Sequence, residues 1–264
     1  MAIFFVPSGG PLAAGRPHRI APNEAHHLLH VLRAGAGDRI VLFDGRGTTA
    51  TCSIVGVDPC ILVPGPVIVH SPQKPALHLL VGLGKQQAMD LLLRQATELG
   101  VATIHPIMGD FCTVLWREER CAGRRRRWEA IILEAAKQAK NPFLPVLHGP
   151  KSLDQILAKF PPNASGVVAS LQTAAISWRT LRTAWDTDGM PDELWLAVGP
   201  EGDFSPSENG QLLGKGFTPL SLGPRVLTME TAALALLAAC QLDLAGVAIE
   251  AGTCGGRMDT AVSC

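Results

Sequence analysis

The chain has 264 residues, and its 23 basic and 23 acidic side chains give a formal net charge of zero. Hydrophobic residues make up 47% and charged residues 17%, which excludes a disordered chain and is typical of a globular protein with a substantial core. The zero total conceals an uneven distribution, because residues 74–151 carry twelve bases and seven acids whereas residues 152–264 carry six bases and twelve acids. The central segment is therefore the candidate for a basic face.

Cysteine usage and hydropathy indicate the cellular compartment of the protein. The seven cysteines are scattered without a CxxC pair, so the sequence predicts neither a disulfide framework nor a zinc site. Residues 3–6 are the only apolar stretch near the start, and the longest apolar run, 232–240, is half of what a membrane span needs. We therefore expect a reduced, cytoplasmic protein with no membrane partner.

Residues 1–72 are predicted to form a small β-rich domain. β-branched runs at 40–43, 50–57 and 60–69 are separated by the turn-forming sequences DGRG and DP. One short helix is predicted at about 24–32, and the HSPQKP sequence at 70–75 is a predicted linker.

From residue 77 onward, short apolar strands alternate with helices. Strands are predicted at 77–82, 103–107, 166–170, 194–199 and 217–223, and helices at 88–99, 118–139 and 230–244. A further helix is predicted to start at the SPSE sequence of 205–208, which is a capping box with proline at the first helical position. This alternation predicts an α/β domain with a parallel sheet, and the residues alone favour an unknotted doubly wound sheet because knots are rare. The polar tail at 251–264 is predicted to be disordered.

Each of three partial motifs has a purely structural interpretation as well as a functional one. The GLGKQQ sequence at 82–87 lacks the third glycine of a dinucleotide fingerprint, so a plain strand-to-helix turn is favoured. His26 and His30 share a helix face with His27 nearby, but no third ligand is at hand, so we predict no metal site. The four arginines at 124–127 are either a solvated helix face or a contact for RNA phosphates.

Two strand-to-helix loops carry the strongest functional signal. AVGPEGDFSPSE at 197–208 runs from an apolar strand through GPEG into a capped helix, and SLGPRVLTMETAALALL at 221–237 repeats the arrangement. Glycine permits positive φ and close approach of the backbone to a ligand, and open α/β sheets bind ligands at the carboxyl ends of their strands. Together the two loops predict the walls of one cofactor pocket.

These two motifs resemble those of the ribosomal RNA small subunit methyltransferase E family. The segments HHLLHVLRAGAGDRIVLFDGRG, ATELGVATIHPI and RWEAIILEAAKQA are similar to other parts of that family, in the same order, over about residues 20–245. The resemblance implies a PUA-like RNA-binding β-barrel over 1–72 and, over 73–264, a SPOUT methyltransferase domain whose parallel sheet carries a trefoil knot.

The resemblance also implies an activity and a set of site residues. Members of the family work as homodimers and methylate N3 of a uridine in 16S rRNA with S-adenosylmethionine, so 16S rRNA or the small ribosomal subunit is the implied partner. The implied cofactor-binding residues are Leu171, Gly199, Pro200, Glu201, Gly202, Leu222, Gly223, Arg225 and Leu227. The implied RNA contacts are Arg33, Arg124 and Arg127.

The sequence departs from the family at four basic positions. Neutral residues stand there instead, namely Gln95, Phe111, Asn141 and the pair Thr228-Met229. Because each lost phosphate contact weakens RNA binding, an alternative to the methyltransferase is a binding protein with an altered RNA target or without catalysis.

The expected chemistry gives roles to a few charged residues. Arg225 is the best remaining cation to stabilise a uracil anion, and Glu230 or Glu201 is the candidate to accept its proton, although a glutamate at a helix start also serves as a cap. A side chain at Gly199 is expected to block the cofactor while leaving the protein folded.

The last predicted helix, 230–244, is apolar over most of its circumference. Such a helix is buried on two sides, either by the chain's own loops or by a second subunit. We expect the second case, a homodimer with this helix at or near the interface, so that Leu237→Glu should yield a monomer.

Overall fold

The computed structural model describes residues 3–6, 12–114, 116, 118–172 and 174–251. Its strands form two sheets, one of five strands and one of seven. Within these residues no helix is long and apolar enough to cross a membrane. The predicted disordered tail lies outside the described residues from 252 onward.

The N-terminal sheet has the order β1-β3-β4-β5-β2. Its strands are β1 Ile3–Phe5, β2 His18–Arg19, β3 Arg39–Phe43, β4 Thr48–Val57 and β5 Cys60–Val69. β3, β4 and β5 pair antiparallel, which confirms the three strands predicted from the β-branched runs. Their inward side chains form a separate core around Phe4, Leu28, Leu42, Ile54 and Leu62.

The single helix predicted at 24–32 is built from two pieces. Helix α1, Pro22–His26, continues into a π-helical turn, His27–Val31. The rings of His26 and His30 lie 4.7 Å apart on it. The described residues contain no group of three His, Cys, Asp or Glu side chains placed to hold a metal ion.

The C-terminal sheet is parallel throughout, with the order β10-β12-β9-β11-β6-β7-β8. Its strands are β6 Ala76–Gly82, β7 Thr103–Ile107, β8 Val146–Leu147, β9 Ser165–Ala169, β10 Ile176–Ser177, β11 Glu193–Val198 and β12 Phe217–Ser221. The predicted α/β class and all five predicted strands are confirmed. β8 and β10 were not predicted, because a strand of two residues is too short to show a hydrophobic periodicity.

Helices cover both faces of this sheet. They are α2 Gln86–Glu98, α3 Glu118–Ala139, α4 Leu153–Leu157, α5 Trp178–Asp188, α6 Pro206–Gly214 and α7 Met229–Ala251. One face packs against α2, α3, α5 and α7, and the other against α4 and α6. The sequence prediction missed α4 and α5 and located the other four.

The two sheets are joined by direct contacts as well as by residues 70–75. The Lys137 ammonium on α3 donates to the Glu24 carboxylate at 2.9 Å, and both side chains are no more than 10% exposed. The DGRG turn also meets the segment after α3, because the Gly47 N–H donates to the Pro142 carbonyl and the Leu144 N–H donates to the Gly45 carbonyl. The N-terminal sheet is therefore held against the larger one by a buried ion pair and backbone hydrogen bonds.

The last helix corrects one prediction. Leu237 is 0% exposed and belongs to the core formed with the sheet and α2, so the expectation that Leu237→Glu acts on a subunit interface is wrong. The outward side of α7 holds Leu242, which is 76% exposed. The sheet needs one apolar face of this helix for its own core, and the all-round apolar pattern did not show which face that is.

Candidate cofactor site

The GPEG sequence forms a tight turn at the carboxyl end of β11. β11 ends at Val198, and the Asp203 N–H donates to the Pro200 carbonyl at 2.8 Å, which closes the turn. Asp203 has φ of 64°, a left-handed conformation that few residues other than glycine, asparagine and aspartate adopt. The predicted capping box follows and is confirmed, because the Ser205 side chain accepts from the Glu208 N–H while the Glu208 carboxylate accepts from the Ser205 N–H.

The second loop leaves the carboxyl end of β12 and leads into α7. Gly223 has φ of 108°, and a Cβ built on it has no neighbouring atom within 4 Å, so its backbone faces open space. Thr228 ends the loop as a cap, since its hydroxyl accepts from the Thr231 N–H at 3.4 Å. The backbone of the loop is therefore accessible at Gly223, and the end of the loop is fixed by the cap of α7 at Thr228.

A cavity of about 360 Å³, here called the strand-end cavity, lies between these loops. β12, β9 and β11 are neighbours in the sheet, so the residues after each strand meet at one edge. The lining residues are Ala169, Ser170, Leu171, Val198, Gly199, Pro200, Glu201, Asp203, Leu222, Gly223, Arg225, Val226, Leu227, Thr228, Met229 and Ala232.

Most of the predicted cofactor residues come together in this cavity. Leu171, Gly199, Pro200, Glu201, Leu222, Gly223, Arg225 and Leu227 line it, whereas Gly202 and Glu230 are outside the lining. Sequence reasoning missed the other eight lining residues, which are Ala169, Ser170, Val198, Asp203, Val226, Thr228, Met229 and Ala232. Asp203 carried a usable signal, because it follows GPEG directly within a turn.

Gly199 has a different role from the one expected. A Cβ on Gly199 would lie 2.8 Å from the Phe204 nitrogen and 2.9 Å from Asp203 Oδ1. A side chain there would collide with the protein's own turn, so the expectation that a Gly199 substitution leaves the fold intact is wrong. Gly223 also lines the cavity, and a Cβ added there would have no protein atom within 4 Å, although its φ of 108° strains any residue other than glycine.

The GLGKQQ turn packs behind the two loops. A Cβ on Gly82 would collide with the backbone of Pro200, and one on Gly84 would lie 2.8 Å from the Met229 methyl group. These glycines therefore permit close packing of three loops, which agrees with the plain strand-to-helix interpretation.

A network of hydrogen bonds fixes the loop after β7 beside the GPEG turn. The Ser205 hydroxyl donates to Asp110 Oδ2 at 2.6 Å, and the Asp110 N–H donates to Glu208 Oε1 at 3.1 Å. Phe111 is 49% exposed and lies close to Gly202, where an added Cβ would be 2.8 Å from the Phe111 Cβ. Gly202 is thus a contact point for this loop, which explains why it does not line the cavity.

Several of the neutral residues at positions where the family resemblance implies a basic side chain have contacts within the chain. The Asn141 side chain accepts from the Phe143 N–H at 3.0 Å, and Thr228 caps α7. Met229 is 4% exposed and packs against Gly84. Gln95 is half-buried on α2. Asn141, Thr228 and Met229 therefore stabilise a loop and a helix end, and none of the four residues is charged.

The predicted RNA-contacting arginines lie on different elements. Arg33 is exposed after the π-helical turn with φ of 54°, and Arg124 on α3 lies over the Trp116 ring at 5.5 Å. The Arg127 guanidinium donates through Nε and Nη2 to the Asp90 carboxylate, and this contact raises the pKa of Arg127. One arginine of the 124–127 run is therefore held by an acid on α2.

Comparisons with known proteins agree with this geometry. The family model described as an RNA methyltransferase domain matches residues 71–241, and the model described as an RNA methyltransferase PUA domain matches residues 20–63. Curated relatives named ribosomal RNA small subunit methyltransferase E include those of Mycobacterium tuberculosis, 28% identical, and Bacillus subtilis, 26% identical. The match to the first relative covers 82% of this chain and 83% of that protein. The match to the second covers 83% of this chain and 88% of that protein.

Two solved structures are similar over nearly their whole length. One is a ribosomal RNA small subunit methyltransferase E from Neisseria gonorrhoeae bound to S-adenosyl methionine, with 27% identity, a TM-score of 0.80 and coverage of 92% of this chain and 97% of that one. The other is a putative methyltransferase from Legionella pneumophila in complex with the bound cofactor SAM, with 30% identity, a TM-score of 0.78 and coverage of 90% and 97%. The chain therefore belongs to the RNA methyltransferase family, in the group whose curated members are named ribosomal RNA small subunit methyltransferase E.

Proposed function

We propose that the chain is an S-adenosylmethionine-dependent methyltransferase that modifies N3 of a uridine in 16S rRNA, in the cytoplasm. The strand-end cavity is the observation that carries the proposal. It brings together eight residues that family resemblance assigns to the cofactor, and two similar structures hold S-adenosylmethionine. We take residues 1–72 as the RNA-binding domain and the remainder as the catalytic domain.

The cavity suits S-adenosylmethionine in size and chemistry. Its volume falls within the 300–1,000 Å³ of typical small-molecule sites, and its walls are mostly apolar with a few polar groups. Leu171, Leu222 and Leu227 offer an apolar slot for an adenine ring. The side chains of Glu201, Asp203 and Arg225 give the lining charges of both signs, which suits a ligand that itself carries both.

The chain's own residues supply orientation and charge stabilisation. The bound cofactor supplies an electrophilic methyl group. Arg225 lies on the cavity loop and is exposed, which suits it to stabilise the anion left when the uracil imide loses its proton. Glu201 lines the cavity and Glu230 does not, so Glu201 is the better placed of the two predicted proton acceptors.

We further propose a knotted, homodimeric assembly. β12 lies between β9 and β10, while α7, which follows it, packs against β6 and β11 on the other side of β9. This return path across the sheet supports the trefoil knot of the SPOUT class. The exposed Leu242 on the outward side of α7 supports a subunit interface there.

Light scattering tests the assembly. We expect wild-type protein to have twice the 27.9 kDa mass of the chain. The Leu242→Glu variant should have the mass of a single chain and should remain folded. Leu237→Ala, in the core, should instead lower the free energy of unfolding by about 2–5 kcal/mol. A monomeric wild type would refute the homodimer.

Nucleoside mass spectrometry tests the activity. Purified protein, S-adenosylmethionine and unmodified small subunits or 16S rRNA should yield 3-methyluridine. Methylation at another atom would contradict the proposed target, and no methylation despite cofactor binding would favour the second candidate.

The second candidate is a cofactor- and RNA-binding protein with an altered target or without catalysis. The integration of Asn141, Thr228 and Met229 into local packing favours it, because these positions no longer carry a basic side chain toward substrate. Calorimetry with S-adenosylmethionine and rRNA fragments distinguishes the two, since this candidate binds the cofactor without producing methylated RNA.

A further inference from the structure

Asp203 is a carboxylate held in an unusual conformation at the wall of the strand-end cavity. Its φ of 64° is one of three positive values among the described residues that are not glycine. Its Oδ1 accepts from the Phe204 N–H at 2.8 Å and lies 2.9 Å from the place where a Cβ on Gly199 would be. The carboxylate is thus folded back over the turn and fixed beside Gly199, which itself lines the cavity.

Charge at this wall is one-sided. Glu201 and Asp203 both line the cavity, and in the described part of the chain no basic side chain forms an ion pair with either. Arg225 lies on the opposite loop of the cavity. A ligand with an excess of positive charge is therefore favoured on the side of the GPEG turn.

The two ligands of a methyl-transfer cycle differ in this charge. S-adenosylmethionine carries a sulfonium, an ammonium and a carboxylate, whereas its product S-adenosylhomocysteine has a neutral thioether and carries one positive charge fewer. A fixed carboxylate near the sulfur therefore attracts the sulfonium of S-adenosylmethionine, whereas the neutral thioether of S-adenosylhomocysteine offers it no such attraction.

We propose that Asp203 is a specificity-determining residue that makes the cavity prefer S-adenosylmethionine to S-adenosylhomocysteine. The inference rests on the proposed cofactor. Preference for the charged form aids turnover, because transfer of the methyl group removes the positive charge and with it part of the affinity. Aspartate suits the position because it tolerates left-handed backbone and its shape allows the hydrogen bond to the Phe204 N–H.

Calorimetry with three ligands tests the assignment. The ligands are S-adenosylmethionine, S-adenosylhomocysteine and sinefungin, in which a protonated amine replaces the methylsulfonium. Asp203→Asn keeps the size and tolerates the same backbone, so we expect a folded protein. We expect about three- to tenfold weaker binding of both cationic ligands, as for a charge pair near the surface, and less than about twofold change for S-adenosylhomocysteine.

Two further variants separate charge from conformation and position. Asp203→Gly removes the carboxylate and the backbone strain. Its preference for S-adenosylmethionine over S-adenosylhomocysteine should fall as much as that of Asp203→Asn. Glu201→Gln removes the neighbouring carboxylate and should change the preference between the ligands less. An equal effect of Glu201→Gln would overturn the assignment to Asp203.

The outcomes distinguish this inference from the proposed function. If wild-type protein binds all three ligands and Asp203→Asn weakens them equally, Asp203 acts through a neutral contact such as a ribose hydroxyl, and the inference is wrong while the cofactor stands. If wild-type protein binds none of the three, the cofactor assignment and this inference are both wrong.

Discussion

The strand-end cavity and the positions expected to contact RNA match the pattern implied by the family resemblance to different degrees. In the cavity, the glycines, proline and arginine of the two loops stand where family resemblance places them, and eight of the implied residues meet. At Gln95, Phe111 and Asn141, which lie outside the cavity lining, neutral side chains stand where the family resemblance implies basic ones. Backbone geometry and close packing constrain the cavity, whereas a phosphate contact on the surface constrains only one charge. We therefore expect cofactor binding and RNA binding to respond separately to substitution in these two regions.

The largest expected effect is in the cavity, at Gly223. Gly223→Val places a side chain in the open space that this backbone faces, so we expect S-adenosylmethionine affinity measured by calorimetry to fall by more than about 100-fold. Gly189→Val is the matched control, because Gly189 also has positive φ and no atom within 4 Å of its Cβ position but lies outside the cavity lining. Both variants should lose similar stability from backbone strain. Equal cofactor affinity in the two would show that the cavity is not the site.

The next effect concerns catalysis at the boundary between the two regions. We expect Arg225→Gln to lower the single-turnover rate of methyl transfer by about 100-fold, since removal of one preformed anion-stabilising group typically costs that much. Arg179→Gln, an exposed arginine on α5 outside the cavity, is the control and should retain the rate. A normal rate for Arg225→Gln would remove this residue from the chemistry.

A smaller effect tests the RNA side by restoring charge. Gln95→Lys should strengthen binding of 16S rRNA fragments about two- to fivefold at low salt, and should steepen the plot of log affinity against log salt by about 0.7 for one added phosphate contact. Gln211→Lys adds the same charge on the exposed side of α6, on the other face of the sheet. If both variants strengthen binding alike, the gain reflects net charge and not a contact at residue 95.

The smallest effect lies away from both regions, in a histidine stack. The rings of His105 and His148 stack at 4.2 Å, with Thr103 hydrogen-bonded to both His78 and His105. Burial, together with the nearby His148, lowers the pKa of His105 from 6.5 to about 3. The unfolded chain takes up a proton near pH 6.5 that the folded chain refuses, so stability is full above that pH and falls as the pH drops toward 3.

Denaturant unfolding at several pH values measures this dependence. Between pH 7 and pH 6 the loss for one such group is less than about 1 kcal/mol. His105→Phe should reduce the dependence without abolishing it, because burial also lowers the pKa values of His18, His78 and His148. The cofactor affinity of the folded protein at pH 6 should be unchanged. A dependence as steep as that of the wild type would assign the proton uptake to groups other than His105.

Sequence alone determined the elements with a strong local signal. The parallel α/β class followed from apolar runs alternating with amphipathic segments, and the start of α6 from the SPSE capping box. The two glycine-proline loops marked the cavity because turn residues at strand ends have a local conformational reason to be there.

Tertiary structure decided what local pattern leaves open. Whether Gly199 serves the ligand or the turn depends on Phe204 and Asp203 folding back against it, and Gly223 is open only because nothing in the described chain packs there. Likewise the apolar circumference of α7 did not tell Leu237 from Leu242, which are 0% and 76% exposed. A sequence records the propensity of each residue, but the neighbours that give a glycine, a carboxylate or a leucine its role arrive from distant parts of the chain only when the fold brings them together.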